Sequence, residues 1–173
     1  MLRRFLIGVA GVYVVCAPLA EAAEQVPFRA GAAKSNITPS LGEPIIGGFH
    51  PFPAKHVHDE LWAKCLVLES GTTRVALVVC DLLGLSHTLC DEARRLVQET
   101  TEIPMSHVLV SATHTHSACS ALGERYDLAA KLSPYQQFVA RRVADAVRCA
   151  VNNLEPAKIG WTTADVPQHV FCR

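Results

Sequence analysis

Residues 61–82 read LWAKCLVLESGTTRVALVVCDL, and this stretch decides the fold. Two apolar runs rich in strand-forming residues, 61–69 and 73–82, flank a serine-glycine-threonine turn at residues 70–72, which is the pattern of a β-hairpin. Residues 75–80 are almost continuously apolar, as is typical of a strand that is buried on both faces. We therefore expect a hairpin whose second strand lies inside the protein.

Two helices are predicted from the residues that would begin them. Ser86 can cap a helix over about residues 87–101, where apolar residues recur at helical spacing. Ser133 and Gln136 form a capping box, with Pro134 at the first helical position, and they predict the start of a second, longer helix.

The remaining periodic segments predict strands at residues 31–38, 107–112 and 158–166. The element order is then β, β-hairpin, α, β, α, β, which indicates an α/β fold with a mixed β-sheet and packed helices. Residues 40–53 carry turn and breaker residues and are predicted to be a loop. A long irregular loop in a compact domain is more often functional than idle.

The composition is that of a globular protein. The chain has 173 residues, enough for one domain with a core, and it is 50% hydrophobic and 18% charged, which argues against disorder. Lys plus Arg and Asp plus Glu number 16 each, and no basic stripe is present, so nucleic acid is not an expected partner.

Residues 1–22 resemble a secretory signal peptide. A short basic start precedes the apolar run 5–19, and Ala20-Glu21-Ala22 gives a small-x-small cleavage pattern. An uncleaved membrane anchor is the alternative, but the run is shorter than the roughly 20 residues of a spanning helix. We therefore expect a secreted or periplasmic protein whose folded domain covers residues 27–173.

Six cysteines remain after such a cleavage, and in an oxidising compartment they allow 15 pairings among which sequence cannot choose. Cys65, Cys80 and Cys149 lie within apolar patterns, where small buried hydrophobic side chains are favoured over disulfides.

A pair of histidines follows the predicted strand in the segment 108–117, VLVSATHTHS. Residues i and i+2 of a strand point the same way, so His114 and His116 would project side by side if strand geometry persisted. Histidine is the commonest metal ligand, and a catalytic zinc needs about three protein ligands and one open position. The alternative to a metal site is that both histidines only form hydrogen bonds within a loop. The neighbouring Thr and Ser hydroxyls can orient the rings or cap the loop backbone.

Four segments together resemble the N-terminal part of the neutral/alkaline (non-lysosomal) ceramidase family. They are GAAKSNITP (31–39), HDELWAKCLVLESGTTRVALVVCDLLGL (58–85), VLVSATHTHS (108–117) and IGWTTADVPQHVFCR (159–173). The resemblance covers most of the mature chain and is most specific at ATHTHS. It implies a zinc-dependent hydrolase of linear amide C–N bonds that acts on ceramide (N-acylsphingosine) or a related lipid amide in sphingolipid metabolism.

The resemblance also implies site roles. His114 matches the family's zinc ligand, and His116 matches a catalytic residue beside the metal that would contact the reacting group. The implied cofactor is Zn²⁺ and the implied partner is a ceramide-like lipid amide. Such a substrate is compatible with peripheral contact between the protein and a membrane. His58-Asp59 could belong to a substrate loop or be solvated, and Asp81 could support the metal or cap a turn.

The sequence departs from the family pattern in three ways. Ala118-Cys119 stand where the family has Gly-Pro, so the loop beyond the pair is expected to run differently. The family's other zinc ligands, a second His, a Glu and a Tyr, lie further along a longer chain, and the nucleophile-like serine is not identifiable, so we expect an incomplete domain. The alternative function is that of an exported non-catalytic fragment or binding module that lacks a complete metal site.

Overall fold

The computed structural model describes residues 26–48, 50–119, 121–122 and 131–169. The predicted signal peptide, residues 1–22, lies outside them. The elements in chain order are β1 (Phe28–Asn36), β2 (Pro44–Ile45), β3 (Phe52–Pro53), β4 (Trp62–Ser70), β5 (Thr73–Cys80), α1 (His87–Thr101), β6 (Val108–Ala112), α2 (Pro134–Asn152) and β7 (Glu155–Pro156). Two single-turn 3₁₀ helices lie at Met105–His107 and Pro167–His169.

The five-stranded sheet has the order β6-β5-β4-β1-β7. Strands β4 and β5 form the predicted antiparallel hairpin, and β1 pairs antiparallel with β4. Strand β6 pairs parallel with β5, because α1 carries the chain back across the sheet before β6 begins. The mixed sheet that the sequence predicts is therefore confirmed, and β2 and β3 add a separate two-stranded ribbon.

Both helices begin where their caps predict. The Ser86 hydroxyl accepts a hydrogen bond from the Leu89 N–H (3.2 Å) and starts α1. At α2 the Ser133 hydroxyl accepts from the Gln136 N–H (3.2 Å), and the Gln136 side chain accepts from the Ser133 N–H (2.8 Å). These bonds satisfy backbone donors that a helix start leaves unpaired, which is why such local signals locate it.

The core lies between the two helices and one face of the sheet. Fully buried side chains from the sheet, such as Val67 and Val78, belong to the same apolar cluster as Leu89 of α1 and Val143 of α2. Burying a side chain of this kind contributes roughly 1.5–3 kcal/mol, so this layer is the main source of stability among the described residues.

The prediction that β5 is buried on both faces is wrong for the described residues. Ala76, Val78 and Cys80 are buried, but Leu77 and Val79, which point to the other face, are 38% and 39% exposed. The physical reason is that α1 and α2 join the same core layer, so neither covers the opposite face.

The prediction of a last strand at residues 158–166 is also wrong. The ladder with β1 ends after Glu155–Pro156 and one further bond from the Ala157 N–H to the Phe28 carbonyl (3.0 Å). Strand β1 starts at Phe28, and the residue before it is proline, which has no N–H to donate. Residues 158–166 therefore pair with no described strand, and Trp161 is 89% exposed.

The five cysteines among the described residues are free thiols. Cys65 and Cys80 are buried as expected, and burial raises the pKa of each to about 12, so both stay protonated. Cys149 is exposed, which corrects the expectation that it is a buried residue. It lies on the outer side of α2, between the exposed Arg148 and the buried Ala150.

Among the residues described, no helix combines the length and apolar character needed to cross a membrane.

Glu69 makes the stability of this fold dependent on pH. Its nearly buried carboxylate accepts hydrogen bonds from Arg74 (2.5 Å) and Arg29 (2.8 Å), and the Arg74 bond is the main cause that holds its pKa below the usual range. The unfolded state therefore binds this proton at higher pH than the folded state. The stabilisation is present above the unfolded pKa of about 4.3 and is lost as the pH falls through the lowered folded pKa.

We expect Glu69→Gln to lower the free energy of unfolding at pH 7 by about 1–3 kcal/mol, because charged hydrogen bonds are lost. The difference from wild type should shrink as the pH falls from 6 to 3, measured by urea unfolding. Glu60→Gln, at an exposed position, is the control and should leave both the stability and its pH dependence unchanged. Parallel pH profiles for wild type and Glu69→Gln would refute this role.

Candidate active site

The histidine pair lies at the edge where the parallel strands β5 and β6 end. Because the two strands run the same way, Asp81–Leu83 after β5 and the loop after β6 meet at one edge of the sheet. The Thr113 N–H donates to the Cys80 carbonyl (2.9 Å) and fixes this meeting point. In α/β sheets, ligands bind beyond the carboxyl ends of the strands, so this edge is the natural place for a site.

His114 adopts a left-handed backbone conformation, with φ of 61°. Strand β6 ends at Ala112, so the predicted continuation of strand geometry through both histidines is wrong. The pair is still close, because the ring centroids of His114 and His116 lie 5.0 Å apart and the rings meet edge to face at 78°. A non-glycine residue with positive φ costs free energy, and such residues cluster at functional sites.

Both imidazole rings are held by backbone carbonyls. His114 Nδ1 lies 2.8 Å from the Leu83 oxygen, and His116 Nδ1 lies 2.7 Å from the Gly47 oxygen. A carbonyl oxygen only accepts, so each Nδ1 must carry the hydrogen, and each neutral ring then presents the lone pair of Nε2. A ring nitrogen fixed by a carbonyl, with the other nitrogen free, is the usual arrangement of a metal-binding histidine.

The loop before the hairpin is docked against the histidine loop. Ile45 forms an isolated antiparallel bridge with Cys119, and the Ile46 N–H points to the Ala118 carbonyl at 3.4 Å. A Cβ atom at Gly47 would lie 1.5 Å from the His116 carbonyl oxygen, so only glycine fits there. The turn-rich loop that the sequence predicts to be functional therefore supports the site through its backbone.

Leu83 and Gly47 are the site residues that sequence reasoning missed. Both act through a carbonyl oxygen, which every residue carries, so residue type gives no signal for Leu83. The sequence signal for Gly47 is the Gly47-Gly48 pair inside a turn-rich loop. It indicates that another part of the chain approaches the backbone closely, but it does not identify that part.

The hydroxyls beside the pair cap the loop backbone. Thr115 Oγ1 lies 3.2 Å from Ser117 Oγ and faces the Ser117 N–H at 3.4 Å. Of the two roles that the sequence leaves open for them, these contacts favour capping over orientation of the rings.

Asp81 and Asp59, whose roles the sequence does not decide, have different surroundings. The Asp81 carboxylate accepts from the Trp62 N–H (3.1 Å) and pairs with Lys64 (3.0 Å), so it is bonded to the neighbouring strand β4 and caps no turn with these contacts. Asp59 lies 2.9 Å from His58 Nδ1, and both side chains are almost fully exposed.

A pocket of about 410 Å³ adjoins the histidine loop. Ser117, Ala118 and Cys119, which directly follow His116, form one wall, and the pocket also touches the loop that carries His58 and Asp59. Its remaining walls are mostly apolar and come from Thr38, Pro39, Ile45, Ala54, His56, Val57 and Leu61. The pocket therefore offers an apolar space beside polar groups, the usual character of a small-molecule site.

The donor set fits part of a zinc site. The Nε2 atoms of His114 and His116 are the right chemistry for zinc, and both residues are exposed at the sheet edge. Within the described ranges, no group of three or more His, Cys, Asp or Glu residues could hold a metal ion. These residues thus supply one arm of a site rather than a full ligand set.

Comparison with known proteins gives the fold. No family model matches the chain, and neither does any curated protein. A crystal structure of neutral ceramidase from Pseudomonas aeruginosa matches with a TM-score of 0.66 and 20% identity over 76% of this chain. A structure of a ceramidase complexed with C2 matches with a TM-score of 0.61 and 21% identity, also over 76%. The chain has a ceramidase-like fold.

The ceramidase likeness that the four sequence segments imply is therefore confirmed at the level of fold. The chain spans only 22% of the length of either solved structure. The roles of His114 and His116 stay predictions, because a shared fold does not by itself establish a shared site.

Proposed function

We propose that this chain supplies the His114–His116 arm of a zinc-dependent amide hydrolase that resembles neutral ceramidase and acts on N-acylsphingosine or a related lipid amide. One observation carries the proposal. Two adjacent imidazoles, each fixed at Nδ1 by a backbone carbonyl, have Nε2 atoms that bond to none of the described residues, at the edge of a ceramidase-like sheet.

In this proposal His114 is the metal ligand, through Nε2. Zinc, when bound, lowers the pKa of a coordinated water to about 7 and polarises an amide carbonyl. The Leu83 carbonyl holds the His114 ring in one orientation and increases the electron density at Nε2. The left-handed backbone conformation at residue 114 is unfavourable in free energy, and in this proposal it is retained because it orients the His114 ring.

His116 is the proposed proton carrier. Its Nδ1–H is held by the Gly47 carbonyl. Proton exchange is therefore confined to Nε2, which can take a proton in one step and donate a hydrogen bond to a developing oxyanion in another.

The pocket beside Ser117–Cys119 supports a lipid-like substrate in the proposal. Its apolar walls suit a hydrocarbon segment, and its lining includes Ser117–Cys119, which directly follow His116 in the chain, but neither histidine itself. Export to the periplasm or the extracellular space, and contact with a membrane surface, belong to the same proposal and rest on residues 1–22 and on the substrate class.

An exported binding module is the second candidate. It is favoured by the observation that the described residues bring together no set of three metal ligands.

Zinc content and hydrolysis of a fluorescent N-acylsphingosine distinguish the two candidates. Because the described residues supply one arm of the site, the test places the chain in Pseudomonas aeruginosa neutral ceramidase in place of the part that it matches, where the proposal predicts bound zinc, and hydrolysis that a chelator abolishes and added zinc restores. Zinc-free protein that captures the lipid without cleaving it would support the binding module. A protein that neither binds zinc at micromolar metal nor cleaves the lipid would contradict the proposed function.

A further inference from the structure

Gln136 makes one contact more than its place in the capping box requires. Its Oε1 accepts from the Ser133 N–H (2.8 Å), and its Nε2 donates to the Ala121 carbonyl (3.0 Å). The residue is buried, with 5% of its surface exposed. The first bond belongs to the start of α2, whereas the second reaches 15 residues back along the chain and takes no part in capping the helix.

Capping alone would be served equally well by glutamate at this position. Either residue accepts a hydrogen bond from the backbone N–H of the cap, but only the amide of glutamine also has N–H groups to donate. The Ser133 N–H must face an oxygen and the Ala121 carbonyl must face a nitrogen, so the two partners fix the orientation of the amide. The bond to Ala121 is therefore what distinguishes glutamine from glutamate here.

Ala121 joins the loop after the histidine pair to the segment after β5. Its N–H donates to the Gly84 carbonyl (3.1 Å), its carbonyl accepts from the Ser86 N–H (3.0 Å), and it forms an isolated parallel bridge with Leu85. Ala121 itself is fully buried. The amide of Gln136 adds a third hydrogen bond to this residue and so links α2 to the contact between the two segments.

This contact begins directly after Leu83, whose carbonyl lies 2.8 Å from Nδ1 of His114. On the other side of the ring, the Thr113 N–H donates to the Cys80 carbonyl (2.9 Å). The loop that carries His114 is thus attached to the end of β5 and the segment that follows it at two points, before the ring at Thr113 and after it at Ala121. Both attachments therefore help to keep the ring within bonding distance of its carbonyl.

We propose that Gln136 is a positioning residue for the His114 ring, and that it acts by holding Ala121 against the backbone that follows Leu83. Without the amide donor, Ala121 is held less firmly and the Nδ1–H of His114 loses its fixed acceptor. The consequence for zinc rests on the proposed function, whereas the consequence for the tautomer of the ring rests on these hydrogen bonds alone.

Gln136→Glu separates the two bonds. The glutamate still accepts from the Ser133 N–H, but it has no N–H for Ala121 and sets a carboxylate oxygen against that carbonyl. In the zinc-free chain at about pH 8, where an ordinary imidazole is neutral, we expect His114 to lose its single tautomer. The ¹⁵N chemical shifts of its Nδ1 and Nε2 should then approach each other.

Zinc affinity gives a second measurement, with the chain placed in Pseudomonas aeruginosa neutral ceramidase as in the test above. Gln136→Glu should lower it by about 10-fold, the lower end of the loss caused by removing a group that supports a metal ligand.

Ser133→Ala is the control, because it weakens the same helix start and leaves the Ala121 bond in place. It removes the hydroxyl that accepts from the Gln136 N–H. We expect it to lower the Tm by about 3 °C and to keep the wild-type tautomer of His114. Gln136→Met repeats the first test without a buried charge and should cause the same loss of the tautomer.

Two results would overturn the proposal. A wild-type His114 tautomer in both Gln136→Glu and Gln136→Met would show that Gln136 only caps α2. An equal loss of the tautomer in Ser133→Ala would assign the effect to the stability of the helix start and not to the bond with Ala121. A loss confined to the Gln136 variants supports the positioning role even without zinc, whereas a zinc-free ceramidase graft contradicts the proposed function alone.

Discussion

Replacing His114 with alanine is expected to weaken zinc binding by at least about 100-fold. Removal of an outer partner of a zinc ligand already costs about 10- to 100-fold in affinity, and removal of the ligand itself should cost more. The variant removes the Nε2 atom of His114, whose ring is held at Nδ1 by the Leu83 carbonyl. Titration against a competing zinc chelator measures the effect.

His107→Ala is the matched control for this variant. His107 also bonds a backbone carbonyl through Nδ1, that of Arg74 at 3.0 Å, but it lies just before the start of β6, whereas His114 follows its end. We expect His107→Ala to retain wild-type zinc affinity. Equal losses in the two variants, or no loss in either, would refute the assignment of His114.

Gly47→Ala should disrupt the site without touching either histidine side chain. The added Cβ would lie 1.5 Å from the His116 carbonyl oxygen, so the two loops must separate and the hydrogen bond from His116 Nδ1 to the Gly47 oxygen is lost. Overpacking of this kind costs about 1–3 kcal/mol in the free energy of unfolding. We also expect the ring of His116 to lose its fixed tautomer, measured by the ¹⁵N chemical shifts of the imidazole.

The neighbouring glycine supplies the control. A Cβ at Gly48 meets nothing within 4 Å, so Gly48→Ala should keep both the stability and the His116 tautomer of the wild type. If Gly47→Ala and Gly48→Ala behaved alike, the close contact between the two loops would not exist in solution.

Local chemistry explains why much of the fold could be predicted from sequence. The caps of α1 and α2 depend on residues within one turn of each helix start, so Ser86, Ser133 and Gln136 were sufficient to locate them. The β4–β5 hairpin is likewise set by a short turn, with Gly71 at a φ of 60° between two apolar runs.

The parts that could not be predicted depend on distant partners. Burial of the outer face of β5 requires a layer that no sequence window of that strand contains. The strand expected at residues 158–166 required a longer β1 as its partner, but the ladder stops at Phe28. Alternation of apolar residues indicates a preference for strand structure, and only a paired neighbour converts it into a strand.

The side chains of the candidate site could be predicted from the sequence, but its backbone contacts could not, for a related reason. The two histidines are recognisable by type and spacing, so His114 and His116 could be singled out as candidates. The pattern of side chains does not predict backbone features. Here these are the left-handed conformation at His114 and the positions of the Leu83 and Gly47 carbonyls. They nevertheless decide which ring nitrogen is free, and hence what the pair can bind.

Long-range ¹H–¹⁵N NMR of the imidazole rings, recorded before and after addition of zinc, tests the central claim most directly. The structure predicts that both neutral rings carry hydrogen on Nδ1, because each Nδ1 donates to a carbonyl. Zinc should then shift the Nε2 resonance of His114 and leave that of His107 unchanged. An Nε2–H tautomer at His114, or a spectrum that zinc does not alter, would contradict the account.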